Sequence, residues 1–505
     1  MPGRSRFKQL CRRLNYKLLM EIDFLLIIRG QPHNWNFSNN GYLACQMEKE
    51  MHENTGRWST GYQALKNLAR AAFFIFYRRI EVYGRENIPG DGGLIFAANH
   101  RNALMDALAV LLTNQYQPVY LARADIFRNR FAAMILRFLK IVPVYRFRDG
   151  VGSMGQNEAT FEKTSAVLAG GGCIGIMPEG NHGDQKRIRM LKKGIFRIAF
   201  RAMDDFRNGH GVRIVPVGLD FTDTRRFREE LVVNYGSPIA VSGYMDLYRE
   251  HPQKGINAIR DELSARMQDL VINIRDEKNY EVDRLLMETG SGTLKKQETG
   301  DGPGCSSRFL IQKAFAEAMY EYFDREPSAA EELRDLGGRL LELLNRHGAD
   351  LTAVRLPGRG RILAAGMLRL LCYPVFLAGA VIHLVPLALI RLALMKLKDP
   401  QFISSFKYVL GFVLVPLNYL IAGIILFLTL PAGVAATLLV AMPVTGLLAH
   451  WCYRYSERAG RMTAVYRSLV SAPDDRKTVT ELADDIAAGL DPVMRSCREK
   501  TAINI

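Results

Sequence analysis

Cysteine is sparse and never paired in this chain, which argues against two structural classes at once. The seven cysteines (Cys11, Cys45, Cys173, Cys305, Cys372, Cys452, Cys497) are scattered, odd in number and form no CxxC pair. That argues against a disulfide framework and a zinc site, and fits a reducing compartment. No zinc-finger spacing, RNA-binding signature or basic helix-turn-helix pattern occurs, so nucleic acid is not the expected partner of a net charge of +16. A membrane surface or anionic substrates remain to balance it. The run Gly170-Gly171-Gly172 lacks the Gly-Lys-Ser/Thr ending of a phosphate loop and precedes an apolar run instead of following one, so it reads as a turn. No secretory signal is expected. The basic residues 4–13 are followed by an apolar stretch broken by Lys17, Glu21 and Asp23, without a small-residue cleavage site.

What is present is organised. The chain has 505 residues, 48% of them apolar, which excludes wholesale disorder and accommodates two or three domains. Residues 1–60 read as an N-terminal extension, with Met47 and Met51 as alternative starts. Residues 61–289 alternate short apolar runs (94–97, 119–122, 174–177, 213–217, 231–235) with helical patterns (105–113, 127–139, 155–168, 194–206, 255–277). This alternation predicts an α/β domain with a mainly parallel sheet flanked by helices. An amphipathic helix at 65–79 carries Phe73, Phe74, Phe76 and Tyr77 beside Arg78 and Arg79. It reads either as a helix in the headgroup layer of a membrane or as one packed on the core.

Residues 290–308 are rich in Gly, Ser, Thr and charge and read as a linker. Residues 309–360 read as helical, interrupted at Pro327 and Gly337-Gly338. From 361 to 470 the composition becomes that of a lipid-embedded region. Segments 370–390, 408–430 and 432–451 each approach the length of about 20 apolar residues that spans a bilayer core. The last two join through Pro431 as a tight hairpin. Lys396, Lys398 and Lys407 before it and Arg454, Arg458 and Arg461 after it place both outer ends in the cytoplasm by the positive-inside rule. Pro374, Pro386 and basic flanks leave 370–390 open between crossing and re-entering. His383 and Arg369 lie near the ends of that segment, a setting that suits interfacial residues. Residues 471–505 read as a polar tail with one helix at 479–488.

The chemistry gathers at strand ends. His100 follows the run Gly93-Leu94-Ile95-Phe96-Ala97-Ala98-Asn99, and Asp106 follows His100 after five residues. A carboxylate there can hold the imidazole in one tautomer and leave its other nitrogen as a general base. Six positions on a continuous helix turn through about 600°, so the pair can meet only with His100 in a loop and Asp106 on the helix after it. A second run, Cys173-Ile174-Gly175-Ile176-Met177, ends in Pro178-Glu179-Gly180. Cations stand nearby: Arg146 and Arg148 after Ile141-Val142-Pro143-Val144, then Lys186, Arg187, Arg189, Lys192 and Lys193. Such groups beside a His-Asp pair suit a bound phosphate. Arg148 reads equally as a membrane-surface charge, and the run from Lys186 to Lys193 equally as a solvated or lipid-binding face.

As an ordered set, Ile80-Glu81-Val82-Tyr83-Gly84-Arg85-Glu86-Asn87-Ile88-Pro89, Asn99-His100 with Asp106, Pro143 with Arg146, Pro178-Glu179-Gly180 and Val215-Pro216-Val217 resemble the blocks of the glycerolipid acyltransferases. The resemblance covers about residues 75–280. The five-residue His–Asp gap is similar to that of the fungal glycerol-3-phosphate/dihydroxyacetone-phosphate branch, which also carries C-terminal membrane helices. It implies that His100 deprotonates an acceptor hydroxyl, which attacks the thioester of an acyl-CoA or acyl carrier protein. The acceptor would be glycerol 3-phosphate, dihydroxyacetone phosphate or 1-acylglycerol 3-phosphate. Asp106 would orient His100, Arg146 would bind the phosphate, and Glu179 and Gly180 would shape its pocket. The family commonly has arginine where His182 stands, so Lys186, Arg187 or Arg189 is expected to take that role. No metal or bound cofactor is implied; the partners are the bilayer and the two substrates. Rival readings are an acyltransferase acting on another lipid head group and a catalytically silent lipid-binding membrane protein.

Overall fold

Gly93–Ala98 is a run of six buried residues, and a strand covered on both faces belongs in the middle of a sheet. In this computed structural model, which describes residues 56, 58–144, 153–206, 211–299, 308–349 and 359–503, that run is the second strand. The α/β part comprises, in order, α1 (Thr60–Phe76), β1 (Arg79–Tyr83), β2 (Gly93–Ala98), α2 (Leu104–Thr113), β3 (Val119–Arg123), α3 (Arg130–Phe138), β4 (Ile141–Val144), α4 (Ser153–Ala169), β5 (Cys173–Ile176), α5 (Gly194–Asp204), β6 (Val212–Phe221), β7 (Glu230–Tyr235), β8 (Ile239–Ala240), α6 (Met245–Glu250) and α7 (Pro252–Gln268). The sheet order is β1-β7-β6-β2-β5-β3-β4, with β8 on β6. All neighbours are parallel except β6 with β7 and β6 with β8. This is the mainly parallel, helix-flanked sheet that the apolar runs predict. Pro143 sits in β4, the edge strand, where a missing N–H is tolerated.

Alternation along β2 builds two cores. Ile95 and Ala97 face a layer containing Ile174, Ile195, Phe196 and Ile259. Leu94, Phe96 and Ala98 face the other way, against Phe73, Met105, Val215 and Tyr235. The aromatic helix divides accordingly. Phe73, Phe76 and Tyr77 are buried, whereas Phe74 stays exposed beside exposed Arg78 and Arg79.

A third core lies in the helices that follow. Here two expectations are corrected. The linker expected at 290–308 is helical up to Thr299, the end of α8 (Tyr280–Thr299). Gly290 serves packing rather than flexibility, since a Cβ there would stand 2.1 Å from the Phe315 ring. The polar tail expected from 471 is two helices, α15 (Pro473–Gly489) and α16 (Asp491–Ile503). They bury Val479, Leu482, Ile486, Leu490, Val493 and Cys497 against α8, α9 (Arg308–Arg325) and α10 (Pro327–Arg346). Those positions recur every three or four residues, the spacing of one helix face.

Between these layers run α11 (Arg359–Ile382), α12 (Leu384–Met395), α13 (Ile403–Thr429) and α14 (Ala432–Val470). Among the described residues, three segments are long and apolar enough to cross a membrane: Ile362–Ile382, Pro400–Thr429 and Ala432–Val470. Only Leu430 and Pro431 separate α13 from α14, as a tight hairpin requires. Helix α14 outlasts its apolar stretch, and Val465 and Leu469 join the third core. The chain breaks at His383, between α11 and α12. His383 is buried, its ring bonded to Gly379 O and Tyr419 Oη at 2.8 Å each, so it is an internal packing residue and not an interfacial one.

Asp283 ties the third core together. Fully buried, it accepts from Arg334 Nε and Nη2 and from Tyr320 Oη, all at 2.9 Å. Removing one partner of such a pair leaves the others unsatisfied, so Asp283→Ala should destabilise the protein by about 3 kcal/mol, read as a lower thermal-unfolding midpoint.

Candidate active site

The register of β2 with β5 decides which side chains meet. Ala97 pairs with Ile176, so His100 and Glu179, each three residues further on, leave the sheet side by side. They do so at the C-terminal ends of parallel strands, where open α/β sheets bind ligands. Helix α2 starts at Leu104, so His100 lies in the loop and Asp106 in the first helical turn. His100 Nδ1–H donates to Asp106 Oδ2 at 2.8 Å. The same oxygen accepts from the backbone N–H groups of Arg101 (2.8 Å) and Asn102 (2.7 Å). The carboxylate is fully buried. This tautomer leaves the Nε2 lone pair of His100 as a proton acceptor. Between the pair, Ala103, with φ of 45° and ψ of −121°, forms a sharp corner just before α2.

Gly180 closes the neighbouring turn at φ +74°, with its N–H on Met177 O at 3.1 Å. Glu179 is buried, which pushes its carboxyl above the ordinary range, while the Arg189 guanidinium opposes that shift. Arg189 Nε donates to Glu179 Oε2 at 2.8 Å, and Arg189 Nη2 donates to Glu179, to the Asn181 carbonyl and, at 3.0 Å, to the His100 carbonyl. Gly183 N–H reaches the His100 carbonyl as well, at 3.1 Å. The Pro-Glu-Gly turn is therefore stapled to the His100 loop.

The expected phosphate clamps Lys186, Arg187 and Arg189 each have a partner in the structure. Lys186 is buried and bonded to Asp220 at 2.6 Å, and Asp220 also pairs with Arg101 at 3.3 Å. Burial lowers the Lys186 ammonium pKa, and Asp220 opposes it. Arg187 pairs with Glu277 at 2.8 Å, and Arg189 is held by Glu179. All three cations have carboxylate partners, so as they stand they build the wall of the site. Lys192 is exposed, with its side chain over Gly180, and has no ion pair among the described residues. Arg146 and Arg148 lie outside the described residues, directly after the end of β4. Among the described residues no cluster of three His, Cys, Asp or Glu is placed to hold a metal.

Sequence reasoning missed one part of the site entirely. His182 stands with its ring centroid 5.5 Å from that of His100, at 81°. Its Nε2 is bonded to Asp399, which comes from the loop between α12 and α13. The only hint was the imidazole itself, standing where the resembled family commonly has arginine.

Residues 79–220 match the family model described as Acyltransferase. Glycerol-3-phosphate O-acyltransferase 2 of Saccharomyces cerevisiae is 29% identical over 121 residues, 24% of this chain and 16% of that protein. The 1-acyl-sn-glycerol-3-phosphate acyltransferase of Borreliella burgdorferi is 27% identical over 199 residues, 38% of this chain and 74% of that protein. The solved 1-acyl-sn-glycerophosphate (LPA) acyltransferase of Thermotoga maritima covers 41% of this chain and 80% of its own, at 20% identity and a TM-score of 0.29. The matched region spans only 16% and 15% of the two yeast glycerol-3-phosphate O-acyltransferases.

The corner at Ala103 is a conformation L-residues rarely adopt, and a β-branched residue there is a steric outlier. Ala103→Val should lose about 2 kcal/mol of stability, whereas Ala103→Gly should stay within about 1 kcal/mol of the parent. Denaturant midpoints of the two variants measure the difference.

Proposed function

With residues 79–220 forming an acyltransferase-family domain consistent with the glycerolipid acyltransferases, we propose that the protein transfers a fatty acyl group from a thioester to the hydroxyl of a glycerol phosphate acceptor at a membrane. The observation that carries this reading is the His100–Asp106 pair at the mouth of the sheet, 2.8 Å apart. His100 Nε2 removes the proton of the acceptor hydroxyl as its oxygen attacks the thioester carbonyl. The tetrahedral intermediate collapses with cleavage of the C–S bond, and the thiolate takes the proton from His100. Asp106 stabilises the imidazolium in between. The thioester is already activated, so no metal or bound cofactor enters the scheme; the donor is acyl-CoA or acyl carrier protein. The acceptor is glycerol 3-phosphate, dihydroxyacetone phosphate or 1-acylglycerol 3-phosphate, with Arg146, two positions beyond Val144 in the sequence, as the candidate phosphate ligand.

Parity supports a reading of the membrane topology. The helices before the apolar region (α9 and α10) and those after it (α15 and α16) share one core, so the chain between them crosses an even number of times. Helices α13 and α14 supply two crossings. On that count the pair α11–α12 reads as a re-entrant hairpin breaking at His383. The return of Asp399 to His182, just after α12, supports this reading. The basic flanks favour the cytoplasm for that side and for the α/β domain.

Labelled acyl-CoA or acyl carrier protein, offered with each acceptor separately to the detergent-solubilised protein, tests the reading. Transfer is expected to at least one phosphate-bearing acceptor. His100→Ala and Asp106→Asn should each lower kcat by about 1,000-fold or more. Undiminished transfer by His100→Ala, or transfer that ignores the acceptor phosphate, would overturn it.

A further inference from the structure

The loop that precedes α13, together with the first turn of that helix, returns to the α/β domain and touches the site at three points. Asp399 Oδ2 accepts from His182 Nε2–H at 2.9 Å. The Phe402 ring stands edge-on to the His182 ring, with centroids 5.2 Å apart at 90°. The Ser404 hydroxyl is shared between Asn102 Oδ1 at 2.6 Å and the Thr224 carbonyl at 2.7 Å. Asn102 in turn donates its backbone N–H to Asp106. His100 is thus flanked on two sides by groups that the membrane region holds.

The arrangement repeats the logic of His100 and Asp106 with a different source for the acid. Asp106 belongs to the α/β domain and is fully buried, whereas the Asp399 side chain is 45% exposed and belongs to the membrane region. Its carboxyl is held below the ordinary range by the Gln401 backbone N–H and by His182. With Nε2 on Asp399, His182 keeps Nδ1 for a ligand. The groups around His182 are His100, Arg189 behind Asn181, Lys192 over Gly180, and Asp399. Lys186, Arg187 and Arg189 are already paired with carboxylates, so the group left beside the His100 ring is His182.

We propose that the loop at residues 396–404 is a wall of the active site, in which Asp399 orients His182 and His182 holds the anionic headgroup of the acceptor beside His100. This rests on reading His100 as the general base. Asp399 fixes the His182 ring through one hydrogen bond, whereas an arginine at that position would present its donors to an anion without that partner. The role of Asp399 should therefore vanish when residue 182 is arginine.

The test uses the full chain in detergent, with acyl-CoA as donor and glycerol 3-phosphate as the varied acceptor. Should that acceptor not be the one used, dihydroxyacetone phosphate or 1-acylglycerol 3-phosphate replaces it. Asp399→Asn and His182→Ala should each raise the acceptor KM about tenfold, the loss of one hydrogen bond to a charged group, with kcat and the acyl-donor KM within about threefold. His182→Arg should keep the acceptor KM near that of the parent, and adding Asp399→Asn to it should change nothing further. An unchanged acceptor KM in His182→Ala overturns the proposal. So does an Asp399→Asn effect that persists in the His182→Arg background, because Asp399 would then act only by folding the loop. Inactivity of His100→Ala alongside either result would leave the general-base reading standing and remove this inference alone.

Discussion

One carboxylate oxygen organises the centre of this molecule. Asp106 Oδ2 receives three N–H groups, from the His100 ring and from the backbones of Arg101 and Asn102. Those bonds fold the loop between β2 and α2 around a single point. They offset the sharp corner at Ala103, which costs of the order of 1–3 kcal/mol and persists only where its surroundings determine it. The His100 carbonyl, fixed in turn, accepts from Arg189 and Gly183 and so carries the Pro-Glu-Gly turn. Asn102 reaches Ser404 and carries the base of α13.

Charge is arranged to match. The chain has a net charge of +16, yet the cations closest to His100 are matched to buried carboxylates. Glu179 holds Arg189, and Asp220 holds both Lys186 and Arg101. Buried pairs of this kind contribute little net stability once desolvation is counted, but they fix geometry. The unpaired positive charge lies further out. Lys192, Lys396 and Lys398 are exposed and have no ion pair among the described residues, as suits a surface that meets anionic headgroups and anionic substrates.

The apolar helices are built into the α/β domain rather than tethered to it. Tyr408 of α13 sits in a core with Phe73 and Phe76 of α1 and donates its hydroxyl to the Ala69 carbonyl at 2.7 Å. Arg454 of α14 pairs with Glu229 at 2.7 Å. With Asp399 on His182, these contacts tie the α/β domain to the start of α13 and to the middle of α14.

The sequence by itself determined the sheet, the placement of His100 in a loop with Asp106 on a helix, and the hairpin at Pro431. Each leaves a local mark. Apolar runs of strand length read as strands, a six-position offset cannot share a helix face, and two uncharged segments flank one proline. Packing decided what local pattern cannot carry. Gly290 looked like a linker residue because a glycine's composition says nothing of the Phe315 ring it accommodates. Residues 471–503 looked like a polar tail because their buried stripe is narrow and its partners lie as far back as residue 280. Lys186, Arg187 and Arg189 read as free cations because a carboxylate partner such as Asp220 or Glu277 leaves no trace beside them in the chain. Asp399 meets His182 across 217 positions. Only the folding of the membrane helices back onto the sheet brings that acid to that imidazole.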